Sequence, residues 1–272
     1  MCEFCVKHGE GKKWYEVSQN YSKELMAQAD RESFTKKFLL TAPRDIARIT
    51  PILDRARRRM PNLYRLFRMM GTWSKKKEHF GQVLPLEDAE TVIDMAHCVT
   101  RIPCVCRAAN RGRRDARYCL LLNFDPKSIF GDFPELRASL EVLTPQQAKE
   151  LLKEFDGNGL VHSVWTFKTP FIGGICNCDQ DCIPYKFQVT TDLIQTMFKS
   201  EYLAEVRVAE CVGCRSCLKL CQFGAVQYSI VNKKCTINPY KCYGCGVCRT
   251  ACKKDAIILI NRDKIQGTEG VW

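Results

Sequence analysis

Apolar residues recur at steps of three and four between Arg44 and Met70, which predicts a helical stripe with one buried face. Its members are Ile46, Ile49, Leu53, Ala56, Met60, Leu63, Phe67 and Met70. Pro51 and Pro61 interrupt the pattern, because proline lacks a backbone donor and disfavours helical geometry in the residue before it. We therefore expect three short helices, one of them with Thr50 as N-cap and Pro51 as first residue.

A second helix signal begins at Thr144, where Pro145 and Gln147 complete a capping-box pattern. This helix is expected to end at Gly157 or Gly159. The following segment LVHSVWTF alternates like a strand, so the first part of the chain predicts a mixed α/β domain. Another helix is predicted over residues 192–199.

The cysteine content indicates a further kind of chemistry, since the chain contains 18 cysteines in 272 residues. The N-terminal sequence has no secretory signal pattern and no later apolar run reaches bilayer-spanning length, so we expect a cytoplasmic protein. Because the cytosol keeps thiols reduced, these cysteines indicate metal ligation rather than a disulfide framework.

Eight cysteines near the C-terminus form two copies of one motif, Cys-x2-Cys-x2-Cys-x3-Cys. The copies are Cys211, Cys214, Cys217, Cys221 and Cys242, Cys245, Cys248, Cys252. Three thiolates on a tight, glycine-containing loop bind three corners of an iron-sulfur cubane, and the fourth ligand must come from elsewhere. Zinc is the alternative, but it normally pairs two short Cys-x-x-Cys segments and has no use for four cysteines per run.

This segment resembles the bacterial two-cluster [4Fe-4S] ferredoxins over about seventy residues. The resemblance implies that the last cysteine of each run binds the other cluster, so that Cys252 completes the first set and Cys221 the second. The proline that usually follows the fourth cysteine is Gln222 in one copy and Lys253 in the other. Between the runs, the sequence around Asn232 and Lys233 predicts a hairpin that contains Cys235, expected to be a small buried apolar residue.

Six further cysteines form a second field: Cys104, Cys106, Cys119, Cys176, Cys178 and Cys182. In an extended segment, residues two apart point to the same face about 7 Å apart, so Cys104 with Cys106, and Cys176 with Cys178, present paired sulfurs. Two such segments facing each other predict at least one additional cluster, of the [4Fe-4S] type, with four of the six thiols as ligands. The motifs IPCVCR, YCL, GLVH and ICNC resemble a little-described family of anaerobe iron-sulfur proteins over residues 98–186, from which no activity transfers.

The N-terminal pair Cys2 and Cys5 lies beside His8. By itself the pair cannot bind a cubane, so the motif is compatible with two ligands to a further site, with a cap on the second cysteine field, or with no ligand role.

The formal net charge is +12, and two clusters with four thiolates each reduce it to roughly +8. Basic residues are dense along the predicted helices: Arg55, Arg57, Arg58, Arg59, Arg65, Arg68 and Lys75 to Lys77. They form either a solvated helix face or a docking surface for an acidic redox partner. Nucleic acid is not favoured because no recognition motif is present, and peripheral attachment to an anionic membrane would use the same charge.

Taken together, the sequence predicts an α+β protein: a mixed α/β iron-sulfur domain over residues 1–202, then a pseudo-two-fold bacterial-ferredoxin-like domain over residues 203–272. Its expected function is a relay of single electrons between an anaerobic oxidoreductase and a partner, with no catalytic side chain. The alternative is an oxidoreductase whose N-terminal cluster reduces a substrate directly, fed by the ferredoxin domain. No dinucleotide fingerprint or phosphate loop is present.

Overall fold

A computed structural model describes residues 1–131, 139–265 and 267–268 of the chain. The α-helices of the described residues are, in chain order, α1 (Glu3–His8), α2 (Lys23–Ala27), α3 (Arg31–Arg59), α4 (Pro61–Glu78), α5 (Leu86–Met95), α6 (Val105–Arg111), α7 (Pro126–Phe130), α8 (Pro145–Gly157), α9 (Ile183–Tyr185), α10 (Ser216–Leu220) and α11 (Val247–Thr250). The strands are β1 (Gly81–Leu84), β2 (Val99–Ile102), β3 (Cys119–Leu122), β4 (Glu141–Leu143), β5 (Val161–Thr166), β6 (Ile172–Cys178), β7 (Met197–Phe198), β8 (Tyr202–Val206), β9 (Val226–Ser229), β10 (Lys234–Ile237) and β11 (Ile257–Asn261). The predicted α+β class is confirmed.

Seven strands form one sheet in the order β4-β2-β3-β6-β5-β1-β7. Every pairing is antiparallel except that of β1 with β7, which is parallel. Helices α5 and α8 pack against one another beside this sheet, and both supply buried apolar residues to its main core. The N-terminal segment contributes Phe4, Trp14 and Tyr15 to the same core, with Phe4 stacked on Phe80 at 3.8 Å between ring centroids.

The helix predicted from Thr144 is confirmed as α8, including its capping box. The Thr144 side chain accepts a hydrogen bond from the Gln147 backbone, and the Gln147 side chain accepts one from the Thr144 backbone. The predicted strand after it is confirmed as β5, whose six residues are all buried because it lies inside the sheet.

The prediction of three short helices between Arg44 and Met70 is wrong. Helix α3 runs without interruption through Pro43 and Pro51, and only Pro61 coincides with a helix start, at α4. Pro51 has no backbone N–H to donate in this turn of the helix. The hydroxyl of the preceding Thr50 donates to the Ile46 carbonyl at 2.6 Å, which adds a side-chain hydrogen bond to the same turn. A proline removes only one donor, and a long helix with neighbouring contacts tolerates that loss.

The predicted burial of the apolar stripe on these helices is also largely wrong. Ile46, Leu53 and Ala56 pack against a small core that contains Tyr64, Ile183 and Leu193. The other members of the stripe are exposed, namely Ile49, Met60, Leu63, Phe67 and Met70. Helical periodicity identified the face correctly, but nothing in the described chain covers most of it.

The helix predicted over residues 192–199 is absent from the structure. A single π turn over residues 186–190 precedes this segment, and Asp192 adopts φ +50°, a left-handed conformation that helix propagation does not allow. Met197 and Phe198 instead form β7 beside β1.

The C-terminal residues form two antiparallel pairs, β8 with β11 and β9 with β10. The pair β9 and β10 is the predicted hairpin, and Cys235 lies in β10 with 1% of its surface exposed. The boundary near residue 202 stays a prediction. None of the described helices is both long and apolar enough to cross a membrane.

Candidate metal centres

Two cavities in the C-terminal part are each lined by four of the repeat cysteines. The first is lined by Cys211, Cys214, Cys217 and Cys252, and the second by Cys221, Cys242, Cys245 and Cys248. Each cavity thus combines three cysteines of one run with the last cysteine of the other. This grouping is the one that the ferredoxin resemblance implies.

The short helices α10 and α11 explain how the runs are divided between the cavities. Cys217 lies within α10 and Cys221 follows its last residue, so one turn separates a thiol of the first cavity from a thiol of the second. Cys248 in α11 and Cys252 beyond it repeat this relationship in the opposite sense. A helix completes one turn in 3.6 residues and advances 5.4 Å in doing so. Two cysteines four residues apart therefore lie about one turn apart, and each can line a different cavity.

Two glycines shape the loops that carry these cysteines. Gly213 and Gly244 adopt φ +67° and +69°, and a Cβ on either would lie 2.1 Å from a backbone oxygen, that of Lys233 or Tyr202. No other residue type fits this combination of left-handed backbone and close approach. At both positions, glycine therefore allows the cysteine loop to pack directly against the backbone of another segment.

Backbone amides already point at several of the sulfurs. Ala204 N and Gly244 N donate to Cys242 Sγ at 3.5 and 3.3 Å, and Ala225 N donates to Cys221 Sγ at 3.3 Å. In the first cavity, Cys235 N donates to Cys211 Sγ at 3.5 Å. Amide hydrogen bonds to sulfur stabilise thiolates and tune iron-sulfur centres, so the environment suits charged sulfur ligands.

Four of these eight thiols, Cys217, Cys242, Cys245 and Cys248, have a raised pKa and are hard to ionise without a cation. Burial is the main reason that the pKa values of Cys242 and Cys245 are raised, and together with nearby Cys235 it raises the pKa of Cys217 to about 12. Cys214 differs, because it is exposed and hydrogen bonds with Ser216 lower its pKa. A metal centre supplies the positive charge that deprotonates buried thiols and releases protons on binding.

The six cysteines of the second field also converge. Cys104 is the N-cap of α6 and Cys106 lies in its first turn, Cys119 begins β3, Cys176 and Cys178 lie in β6, and Cys182 is the N-cap of α9. Strand register places Cys119 directly opposite Cys176. The prediction of an extended segment is confirmed for Cys176 and Cys178 but is wrong for Cys104 and Cys106, because a helix starts immediately after Cys104.

The thiols of this field form a continuous chain of contacts. Cys119 Sγ lies 3.4 Å from Cys104 Sγ and 3.9 Å from Cys176 Sγ. Hydrogen bonds from Cys176 and Cys182 hold the pKa of Cys178 well below its usual value, whereas burial raises the pKa of Cys106 to about 12.

Arg107 is the positive charge of this site, and the sequence patterns did not single it out. It is 1% exposed and donates to Cys104 Sγ at 3.6 Å, to the Asn177 carbonyl at 3.3 Å and to Asp179 at 2.8 Å. Its position in Cys-Val-Cys-Arg, one residue after Cys106, is the available sequence signal. A buried guanidinium beside six thiols offsets the negative charge of thiolate ligands.

A small apolar cavity of about 70 Å³ opens beside three of these thiols, Cys106, Cys119 and Cys176. Aromatic side chains from α3 and β5 form part of its wall, and His79 lies among them. The His79 ring hydrogen-bonds through Nδ1 to the Thr166 carbonyl at 2.6 Å, and burial lowers its pKa to about 4. The ring is therefore neutral near pH 7.

The two cysteine regions meet at Gln222, one of the residues that replace the usual proline. Its Nε2 donates to the Gly159 carbonyl at 2.6 Å and to the Cys178 carbonyl at 3.3 Å. Next to it, Phe223 stacks on Tyr243 at 4.0 Å, and Cys176, Cys221 and Cys245 pack against the same apolar cluster. The departure from the ferredoxin pattern thus provides a contact between the parts.

The N-terminal pair Cys2 and Cys5 lies away from the six-cysteine field. Cys2 Sγ is 3.5 Å from Cys5 Sγ, and Cys5 Sγ donates to Glu201 at 2.9 Å. Glu201 is a residue that sequence reasoning missed, because nothing in its neighbourhood marks it as a ligand. Among the described residues, Glu201 is the group that joins the pair, which favours the alternative of a further site.

All 18 cysteines are free thiols, and the clusters that they form are compatible with bound metal centres. Comparison with protein-family models and with curated proteins finds no match for this chain.

Proposed function

We propose that this protein is an iron-sulfur electron-transfer relay with two [4Fe-4S] clusters in its C-terminal part and at least one further cluster in the six-cysteine field. The observation that carries the proposal is the crossed lining of the two C-terminal cavities, each by three cysteines of one run and the fourth of the other. The cubane motif requires a remote fourth ligand, and the fold supplies one to each cavity.

The spacing of the thiols favours clusters over single ions. Among the His, Cys, Asp and Glu side chains of the described residues, only Cys2, Cys5 and Glu201 bring three ligand atoms within 4.8 Å of one another. The four thiols of each C-terminal cavity are therefore more widely spaced than one tetrahedral zinc ion requires. Thiolates that bind different iron atoms of one cluster are expected to lie further apart.

A [4Fe-4S] cluster held in these cavities would supply one-electron redox chemistry. The chain's part is to hold it by four thiols, to direct amides such as Gly244 N at the sulfurs and to limit access of water. Glycine at positions 213 and 244 allows the two cysteine loops to pack against the backbone of Lys233 and Tyr202. Electron transfer of this kind needs no acid or base side chain.

The three sites follow one another in the fold. The six-cysteine field touches the second cavity through Gln222, whose neighbour Cys221 lines that cavity. Helix α10 leads from there to the first cavity, where Cys214 is exposed. A relay with this order would exchange electrons with a partner near Cys214 and connect inward to the field around Arg107.

Basic residues support an acidic redox partner. Arg55, Arg58, Arg59 and Arg65 are exposed on α3 and α4. Complementary charge speeds encounter and orients the two proteins, while contributing less to final affinity. We place the relay between an oxidoreductase of anaerobic metabolism and such a partner.

Iron and acid-labile sulfide counting on anaerobically purified protein tests the proposal, together with electron paramagnetic resonance after reduction. Three [4Fe-4S] clusters would give about twelve irons and twelve sulfides per chain, and two would give about eight. Zinc in the C-terminal sites, or iron without inorganic sulfide, would contradict it.

A second candidate function is direct reduction of a small substrate at the six-cysteine field. The apolar cavity beside Cys106, Cys119 and Cys176 favours it, since a cluster there would border a space of about 70 Å³, which suits only a substrate of a few heavy atoms. Cyanide, which binds iron with an open coordination position, separates the candidates. A spectral change of the reduced chain on adding cyanide supports the enzyme, and an unchanged spectrum supports the relay.

A further inference from the structure

Cys2, Cys5 and Glu201 form a compact group of ligand atoms separate from the sites of the proposed relay. Their two sulfurs and one carboxylate oxygen all lie within 4.8 Å of one another. Cys2 is the N-cap of α1, Cys5 lies in that helix, and Glu201 directly precedes β8, so two distant parts of the chain meet here. His8, which follows the cysteine pair in sequence, is not a member of the group.

The group is buried, and the charged groups near its carboxylate are the N-terminal amine and the Arg262 guanidinium. Cys2 and Cys5 are 0% exposed and Glu201 is 4% exposed. Among the described residues, no lysine or arginine side chain lies within 4.0 Å of the Glu201 carboxylate, which instead accepts from Cys2 N at 3.2 Å and from Cys5 Sγ. A buried carboxylate beside two thiols is costly unless a positive charge joins it or it takes up a proton.

We propose that Cys2, Cys5 and Glu201 bind one zinc ion. Thiolate and carboxylate are both regular zinc ligands, at about 2.3 Å from sulfur and 2.0–2.2 Å from oxygen. In a tetrahedron with those bonds, two sulfurs lie about 3.8 Å apart, and the observed Cys2–Cys5 separation is 3.5 Å. The Cys5–Glu201 contact of 2.9 Å is shorter than the corresponding edge, so the carboxylate moves outward slightly on binding.

Gln82 offers the fourth position. Its Oε1 lies 3.9 Å from Cys2 Sγ, and its Nε2 is fixed by donation to the Lys199 carbonyl at 3.0 Å. Trp14 Nε1 donates to the same Oε1 at 2.5 Å, which orients the amide. Three charged ligands from the chain and one neutral oxygen match a closed structural site better than a catalytic one.

Such a site would fix the N-terminus to the entry of the ferredoxin-like part. The Glu201 carbonyl accepts from Arg262 N at 2.8 Å, and Arg262 Nη2 donates to the Cys242 carbonyl at 3.0 Å. Arg262 would therefore link a zinc ligand, Glu201, to Cys242, which lines the second cavity. Its role is structural, and it does not depend on the relay.

Metal analysis of the full-length chain tests this inference, with zinc and iron counted separately so that its failure is distinct from failure of the relay. We expect one zinc per chain in wild type and in Cys98→Ser and Glu205→Gln, which change a cysteine and a glutamate outside the group. In Cys5→Ser and Glu201→Gln we expect zinc to fall to about one tenth or less with iron and sulfide unchanged. Wild type without zinc, or zinc unaffected by Cys5→Ser, would overturn the proposal.

X-ray absorption at the zinc edge gives a second measurement that needs no variant. The proposed site predicts two sulfurs at about 2.3 Å and two oxygens at about 2.0–2.2 Å from zinc. Four sulfurs would mean that zinc occupies a cluster site instead and would refute the assignment. A Cys2–Cys5 disulfide, detected by mass in the anaerobic wild-type protein under non-reducing conditions, would refute it as well.

Discussion

The Gln222 side chain donates a hydrogen bond to the Cys178 carbonyl at 3.3 Å and joins the two cysteine regions of the chain. Gln222→Leu removes this bond and the 2.6 Å bond to the Gly159 carbonyl. We expect a loss of about 1–3 kcal/mol in the free energy of unfolding, because at least one carbonyl loses its partner while buried. Chemical denaturation measures it, and Gln227→Leu, an exposed glutamine on β9, is the control. Equal losses in both variants would argue against a joining role.

The crossed ligand sets predict which variants share a phenotype. Cys221→Ser and Cys242→Ser should perturb the same paramagnetic signal, while Cys217→Ser and Cys252→Ser should perturb the other. The reason is that Cys221 and Cys252 each line the cavity formed by the opposite run. Electron paramagnetic resonance of the reduced variants distinguishes the cases. If Cys221→Ser pairs with Cys217→Ser instead, each run binds its own cluster.

Two glycines with similar backbone angles should respond differently to alanine. Gly244 and Gly224 have φ +69° and +62°, but only at Gly244 does an added Cβ meet a backbone oxygen, at 2.1 Å. Gly224→Ala should cost about 1 kcal/mol for the left-handed conformation alone. Gly244→Ala should also lower the iron content, since the loop that carries Cys242 and Cys245 must shift. Matching iron content in the two variants would contradict the steric argument.

Arg107 should set the potential of the six-cysteine site. Arg107→Met removes the positive charge that contacts Cys104 Sγ and Asp179, so the reduction potential of that site is expected to fall. Stability should drop by about 1–3 kcal/mol, because Asp179 and the Asn177 carbonyl lose their donor. Arg107→Lys keeps the charge and should stay nearer to wild type in potential. A potentiometric titration followed by paramagnetic resonance checks both, and an unchanged potential in Arg107→Met would exclude the electrostatic role.

His79 predicts acid sensitivity. Burial lowers its pKa from 6.5 to about 4 in the folded chain, so below pH 6.5 the unfolded chain binds a proton that the folded chain does not. Stability therefore falls as pH decreases from 6.5 toward 4, by about 3 kcal/mol at the lower limit. Denaturation at pH 7.5 and pH 5.0 measures the slope, and His79→Phe should reduce it. The same slope in both proteins would assign the sensitivity to other groups.

Local signals in the sequence determined several features of this protein. The capping box at Thr144 and Gln147 fixes the start of α8 because its partners are three residues apart. The hairpin around Asn232 follows from strand patterning, and the repeated cysteine runs mark the C-terminal cavities. Local chemistry suffices where every partner lies within a few residues.

Only the tertiary structure decided which distant groups meet. Pro51 stays inside a long helix, and the stripe that includes Phe67 stays exposed, because packing rather than periodicity settles both. Arg107 meets Asp179 and the Asn177 carbonyl, and Glu201 joins Cys2 and Cys5, through contacts between segments far apart in the chain. Contacts of this kind cannot be predicted from residue order alone. They depend on the register of the strands and on where the helices pack.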